Sequence, residues 1–203
     1  MRIIFFSSGD FGVYYLNKML ENNLEIVAGV PNYGDVLYRQ TLKKHNIPII
    51  DIPNFKDKSC LEKIKKYKPD LQIVCCFRII PEYIFSYPKL KTINIHYSLL
   101  PSYRGAMPIE GALLNKEKET GISIHYVTKK IDGGQIIGQE VVKIDNKKKR
   151  KLIKKLNHVG IKLLLSVIED INNNQIKIIK PKYRSFYYNK PNLWKLFING
   201  LLL

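Results

Sequence analysis

Thr92-Ile-Asn94-Ile-His96-Tyr-Ser98-Leu-Leu-Pro101-Ser-Tyr-Arg104-Gly105 is the stretch from which the fold can be read. The run from Leu90 to Ile95 reads as the end of a buried strand, and Pro101 and Gly105 break the chain into a loop. Asn94 and His96 stand two apart and so share one side of that strand. At the carboxyl end of a buried strand they face the crevice in which open α/β sheets bind ligands. An amide donor can steady a developing oxyanion while an imidazole moves a proton. A lone Asn-x-His is more often a structural hydrogen-bonded pair. Asp132, in the turn Lys130-Ile-Asp132-Gly-Gly134 after the apolar strand Ile122 to Val127, adds a carboxylate that could orient and charge the imidazole. An Asp flanked by Gly is otherwise a turn former.

Outward from this stretch the chain alternates strands and helices, as in an α/β protein with an open, twisted, mostly parallel sheet and helices on both faces. Arg2 to Phe6 is the expected first strand, followed by a turn over Ser7 to Gly12 and a helix with Asp10 as its cap. Leu24 to Val30, Pro48 to Ile52 and Asp70 to Cys76 are further expected strands, the last central and burying both Cys75 and Cys76. Helices are expected up to His45, over Asp57 to Lys66, up to Tyr87 and over Pro108 to Leu114. Ile136 to Ile144 reads as a strand. Lys151 to Ile171 reads as a long helix, with Leu152, Leu156, Leu163, Leu164 and Ile168 on its apolar side. His125 falls within a strand alternation, as a core or supporting histidine, and His158 on the polar side of the long helix. Ile176 to Ile179 could add a strand. The first turn lacks the full Gly-x-Gly-x-x-Gly fingerprint, so dinucleotide binding is not supported.

At 203 residues the chain has the length of one domain with a single substantial core. The expected division is a catalytic unit over 1–175 and a short aromatic, basic tail over 176–203. Cys60, Cys75 and Cys76 have neither the number for a disulfide framework nor the spacing of metal ligands, which points to reduced thiols, a cytoplasmic setting and no metal. The opening apolar run is too short for a membrane span, and no membrane partner is expected. The net charge of +17 invites a nucleic-acid reading. The excess is mostly lysine scattered among Ile and Asn, which argues against nucleic acid as the partner. The densest run, Lys147 to Lys151, reads as a solvated loop able to attract any anion. The tail aromatics could stack a nucleotide base or serve as a packing arm in a homodimer.

The string from Asn94 to Gly105, with Glu119 to Thr128 and Ile131 to Gly134, resembles the formyltransferase family, whose members use 10-formyltetrahydrofolate. The resemblance runs from the first strand to about residue 142 and implies a Rossmann-like formyltransferase fold. It implies Asn94, His96 and Asp132 as the catalytic residues, with the carboxylate raising the histidine pKa. It places the folate against Phe77, Arg78, Ile79 and Ile80, against Ser98, Leu99, Leu100 and Pro101, and against Val127, Thr128, Lys129 and Ile131. Ile79 and Ile80 read equally well as plain core. Ser8, Gly9, Asp10, Tyr103 and Arg104, with Tyr183, Tyr187 and Trp194 of the tail, are the expected acceptor contacts. Tyr97 stands where the family has a small residue or Pro, and either narrows the crevice or reshapes its acceptor side.

Three acceptors compete within the family. About thirty residues follow the long helix, too few for the separate barrel that binds tRNA in the methionyl-tRNA branch. Asp10 sits where the glycinamide ribonucleotide branch holds a phosphate. The leading expectation is therefore a nucleotide-linked amino sugar of the dTDP-4-amino-4,6-dideoxy type. A deformylase, with water in place of the amine, and a non-catalytic folate- or nucleic-acid-binding protein are the readings of other classes.

Overall fold

A computed structural model describes residues 1–145, 148–186 and 188. Among them, β1 (Ile3–Ser7), β2 (Ile26–Pro31), β3 (Leu71–Cys75), β4 (Thr92–His96), β5 (Glu119–Tyr126) and β6 (Ile136–Lys143) build one sheet. Its order is β2-β1-β3-β4-β5-β6. The first three neighbouring pairs are parallel, and β5 runs antiparallel to both β4 and β6. Parallel strands need crossovers, and helices supply them. They are α1 (Gly9–Glu21), α2 (Val36–Lys44), α3 (Ser59–Lys65) and α4 (Glu82–Phe85), followed by α5 (Pro108–Leu114) and α6 (Lys149–Asn172). The expected α/β architecture is present, with helices on both faces.

The alternation of β1 divides the core. Ile3 and Phe5 point to the face packed by α1 and α6, and Ile4 and Phe6 to the face packed by α3 and α4. All four are fully buried, each contributing about 1.5–3 kcal/mol relative to exposure. On α6, Leu152, Leu156, Leu164 and Ile168 recur at helical spacing and are buried. Gly160 lets that helix approach α1 closely, because a Cβ there would lie 2.1 Å from the Tyr15 hydroxyl.

Four local expectations are corrected. Ser8, not Asp10, occupies the N-cap of α1, and Asp10 is an exposed residue of its first turn. Pro48 to Ile52 forms no strand. It touches the sheet through one bridge, Gly29 to Ile49, at the edge beyond β2. Ile176 to Ile179 likewise forms one bridge, Ile136 to Ile179. Cys76 is exposed at the end of β3 with φ +50°, because the chain turns sharply there, while Cys75 is buried. Among the described residues no helix is long and apolar enough to cross a membrane. No cluster of three or more His, Cys, Asp or Glu there could hold a metal ion.

Candidate active site

Asn94 and His125 are register partners across the β4–β5 ladder, so their side chains meet on one face of the sheet. The Asn94 Nδ2 amide lies 3.1 Å from His125 Nε2 and donates to Asp132 Oδ1 at 3.4 Å. His96, two residues on, brings Nδ1 to 3.6 Å from Asp132 Oδ2, and His125 Nε2 is 3.5 Å from Oδ1. Asp132 itself has φ +45° and its carboxylate accepts the Gly105 N–H at 2.8 Å. An amide, two imidazoles and a carboxylate, from residues 94 to 132, thus surround one point.

Carbonyl partners fix the tautomers, since a carbonyl can only accept. His96 Nε2 donates to the Tyr103 carbonyl at 2.8 Å, which leaves the neutral ring's lone pair at Nδ1, facing Asp132. His125 Nδ1 donates to the Tyr126 carbonyl at 2.9 Å, so its Nε2 can accept from Asn94. Burial pulls the His96 pKa below its ordinary value, against the attraction of Asp132. The expectation of a raised histidine pKa is therefore corrected: desolvating an imidazolium costs more than a carboxylate 3.6 Å away returns. Burial also works to raise Asp132. The His125 and His96 rings, when each also carries a proton on the nitrogen that faces the carboxylate, and the Gly105 N–H outweigh it and hold the carboxyl at about 2.

This cluster lies on a cavity of about 1600 Å³. Phe77, Arg78, Ile79 and Ile80 line one side, and Val127, Thr128, Lys129 and Ile131 another, where a folate was expected. Ile79 is 74% exposed, which answers for that residue whether it is core, whereas Ile80 is 6% exposed. Arg78 stacks over the Phe55 ring at 4.7 Å and donates to the carbonyls of Ile52 and Pro53. Asp10, Phe11 and Met107 line the opposite end, with Lys148, Lys149 and Arg150 at the start of α6. Part of the basic run expected as solvated loop thus borders the cavity, with Lys149 paired to Glu110 at 3.1 Å.

Other expected contacts lie elsewhere. Ser98 to Pro101 are buried and do not line the cavity. Their polar groups are spent inside: Ser98 Oγ donates to Ser102 O, Leu100 N to Ser123 Oγ, and Leu100 O accepts from Gln139. Ser8 Oγ donates to Cys76 O, and the Gly9 N–H is taken by Asp35 Oδ2 at 2.7 Å. Tyr103 is buried, its hydroxyl donating to Glu117 at 2.6 Å. Arg104 reaches back to the Asp132 carbonyl instead of outward. Tyr183 lies beside Glu119, at the start of β5. Tyr187 and Trp194 fall outside the described residues. Tyr97 is buried, donates to Asn157 Oδ1 at 2.5 Å, and sets its ring 4.9 Å from that of Phe11. Its hydroxyl lies in the core, it packs against Phe11, and the residue lines the cavity beside that ring. Asp35 and Phe11 carried no signal in the sequence beyond their proximity to turns.

A family model described as Formyl transferase matches residues 1–168. A methionyl-tRNA formyltransferase of Azobacteroides pseudotrichonymphae genomovar. CFP2 is 33% identical over 192 residues, covering 88% of this chain and 59% of the relative. The chain therefore spans about three fifths of that relative's length. Among solved structures, a sugar 3N-formyl transferase crystallised with dTDP and 5-N-formyl-THF superposes with a TM-score of 0.73 at 25% identity, covering 93% of this chain and 69% of that one. A phosphoribosylglycinamide formyltransferase from Bacillus halodurans gives 0.74 at 23% identity, covering 84% and 95%.

Proposed function

The chain belongs to the formyl transferase family, and from that premise we propose that it moves a formyl group from 10-formyltetrahydrofolate to a primary amine. The observation that carries this is the meeting of Asn94, His96, His125 and Asp132 on one cavity wall. A cavity of about 1600 Å³ exceeds the roughly 300–1,000 Å³ of a single small-molecule site and suits two reactants held side by side. The apolar and basic wall of Phe77, Arg78, Ile80 and Val127 fits a flat heteroaromatic donor with an anionic end. The folate supplies an activated formyl carbon.

The roles follow from the hydrogen bonds. Asn94 Nδ2, whose bond to Asp132 is long at 3.4 Å, turns that N–H to the oxygen that gains charge as the amine attacks. His96 offers the Nδ1 lone pair and takes the amine's proton. The imidazolium is supported by Asp132 Oδ2, already ionised at 3.6 Å. It gives the proton on to the folate N10 as the formyl C–N10 bond breaks and tetrahydrofolate leaves. His125 holds the Asn94 amide in place.

The acceptor in this reading is a nucleotide-linked amino sugar of the dTDP-4-amino-4,6-dideoxy type. Lys148, Lys149 and Arg150 give the acceptor end of the cavity a positive potential for a pyrophosphate, and the sugar 3N-formyl transferase shares the fold across 93% of this chain. The Asp35 carboxylate on the Gly9 N–H disfavours a phosphate at the first turn, and with it glycinamide ribonucleotide. Methionyl-tRNA is the second reading, favoured by the 33% identity to a methionyl-tRNA formyltransferase. Residues 1–175 as catalytic unit and 176–203 as tail belong to the same proposal, as does a cytoplasmic setting in which folates and nucleotide sugars are at hand.

Incubating the chain with 10-formyltetrahydrofolate and either a dTDP-4-amino-4,6-dideoxy sugar or methionyl-tRNA, and reading product mass, decides the matter. The sugar is expected to gain one formyl group and tetrahydrofolate to appear in equal amount. Turnover with methionyl-tRNA alone replaces the acceptor. Formyl transfer to neither overturns the reading.

A further inference from the structure

The loop that holds the two reactive groups has a second side. Toward the cavity, Tyr103 O accepts from His96 Nε2, Arg104 Nε donates to Asp132 O at 3.0 Å, and Gly105 N donates to Asp132 Oδ2. Away from it, Arg184, Ser185, Phe186 and Tyr188 bond to the same loop or its flank. Phe186 N donates to Pro101 O, Arg104 N to Phe186 O, and Tyr188 N to Arg104 O, at 3.3, 3.3 and 2.8 Å. Ser102 Oγ donates to Arg184 O, and Arg104 Nη1 to Ser185 Oγ at 3.1 Å. The Phe186 ring sits 4.6 Å from the Tyr103 ring, edge to face.

We propose that Ser185 and Phe186 are positioning residues, which fix the Tyr103–Gly105 loop and through it the His96 ring and the Asp132 carboxylate. Tyr103 has φ +55°, a conformation a bulky residue holds when its surroundings impose it. Phe186 packs on that ring and pairs with both flanks of the loop, so it supplies part of the constraint. Ser185 acts along a shorter line: it holds one end of the Arg104 guanidinium group whose other nitrogen holds the Asp132 carbonyl. The described part of the expected tail thus supports the loop from behind, while Tyr187 and Trp194, expected at the acceptor, lie outside the described residues.

The inference rests on the catalytic roles given to His96 and Asp132, and one arm of its test does not. In the full chain, Phe186→Ala and Ser185→Ala are compared with the unaltered protein by NMR of the imidazole N–H protons. The His96 Nε2 proton is expected to exchange with solvent at least tenfold faster in Phe186→Ala. The His125 Nδ1 proton, bonded to Tyr126 O and not to the Tyr103–Gly105 loop, keeps its rate. Equal acceleration of both protons, or of neither, overturns the proposal. In formyl transfer, kcat is expected to fall about tenfold in Phe186→Ala and a few fold in Ser185→Ala with the folate KM unchanged, and Phe186→Leu to restore most of it. A rise in KM alone also overturns it. If the unaltered chain transfers no formyl group, the functional reading fails and the proton-exchange comparison still decides this one.

Discussion

Asn94 and His125 sit opposite each other on antiparallel strands and are joined side chain to side chain, Nδ2 to Nε2, at 3.1 Å. The pairing ties the amide assigned to the developing oxyanion to a histidine that need not touch either reactant. Replacing His125 by Ala frees that amide to rotate and removes one of the groups that hold Asp132 ionised. Formyl-transfer kcat is expected to drop about ten- to a hundredfold, the scale of a small misplacement at a reacting centre. Steady-state kinetics with the purified variant checks it, and an unchanged kcat refutes the supporting role.

Acid weakens this fold in two stages. His96 has a folded pKa below its ordinary value, so the folded state resists its protonation. Its share of stability is complete above the unfolded value of about 6.5 and is lost as pH falls through and below it. Asp132, held at about 2 against an ordinary 3.8, adds stability above roughly pH 4 that disappears toward pH 2. A tenfold change in proton affinity is worth about 1.4 kcal/mol, which makes the Asp132 share on the order of 2 kcal/mol. Thermal melts from pH 8 to pH 3 are expected to show a decline beginning near 6.5 and steepening below 4. In His96→Gln the first stage vanishes.

Asp35 closes the first turn with an internal anion. Its Oδ2 takes the Gly9 N–H at 2.7 Å and its Oδ1 the Tyr38 N–H at 3.1 Å, capping α2. Asp35→Ala is expected to cost about 1 kcal/mol through the lost cap, lowering Tm by roughly 2–4 °C. It also frees a backbone donor, so inorganic phosphate, followed by calorimetry, is expected to bind the variant more tightly than the parent. Equal phosphate affinity in both removes Asp35 as the reason a phosphate is disfavoured there.

Tyr97 is a core residue by its hydroxyl. Phe at this position leaves Asn157 Oδ1 buried without its 2.5 Å partner, at a cost of about 1–3 kcal/mol. The ring and its contact with Phe11 remain. A lower melting temperature with KM values near those of the parent is expected, and a large KM change with unaltered Tm contradicts the placement.

Much of this was legible in the chain itself. Strand alternation placed Asn94 and His96 on one side, and the Gly-flanked turn marked Asp132. α5 begins and ends at the expected Pro108 and Leu114, since proline at the first helical position is unambiguous. What was not legible depends on pairing between distant segments. No local pattern states that β5 runs antiparallel to β4, which is what sets His125 against Asn94. The carboxylate on Gly9 comes from Asp35, after β2, so the turn's own residues gave no sign of it. The family resemblance sets Ser98 to Pro101 against the folate, and Pro101 and Gly105 mark only a loop. Yet Leu99 packs against Gly121, where a Cβ would come within 2.3 Å of it, and the segment lies inside.

β5 ends at Tyr126, level with Ile93, near the wrong end of β4 for a residue that must serve both Asn94 and His96. The chain from Val127 to Asp132 therefore has to come back toward them. It bends and turns through Lys129 to Asp132, and its course brings the carboxylate to 3.5 and 3.6 Å from the two rings. A loop that returns along the strand end so carries the reacting carboxylate at one end, while Val127, Thr128, Lys129 and Ile131 line the cavity along its course.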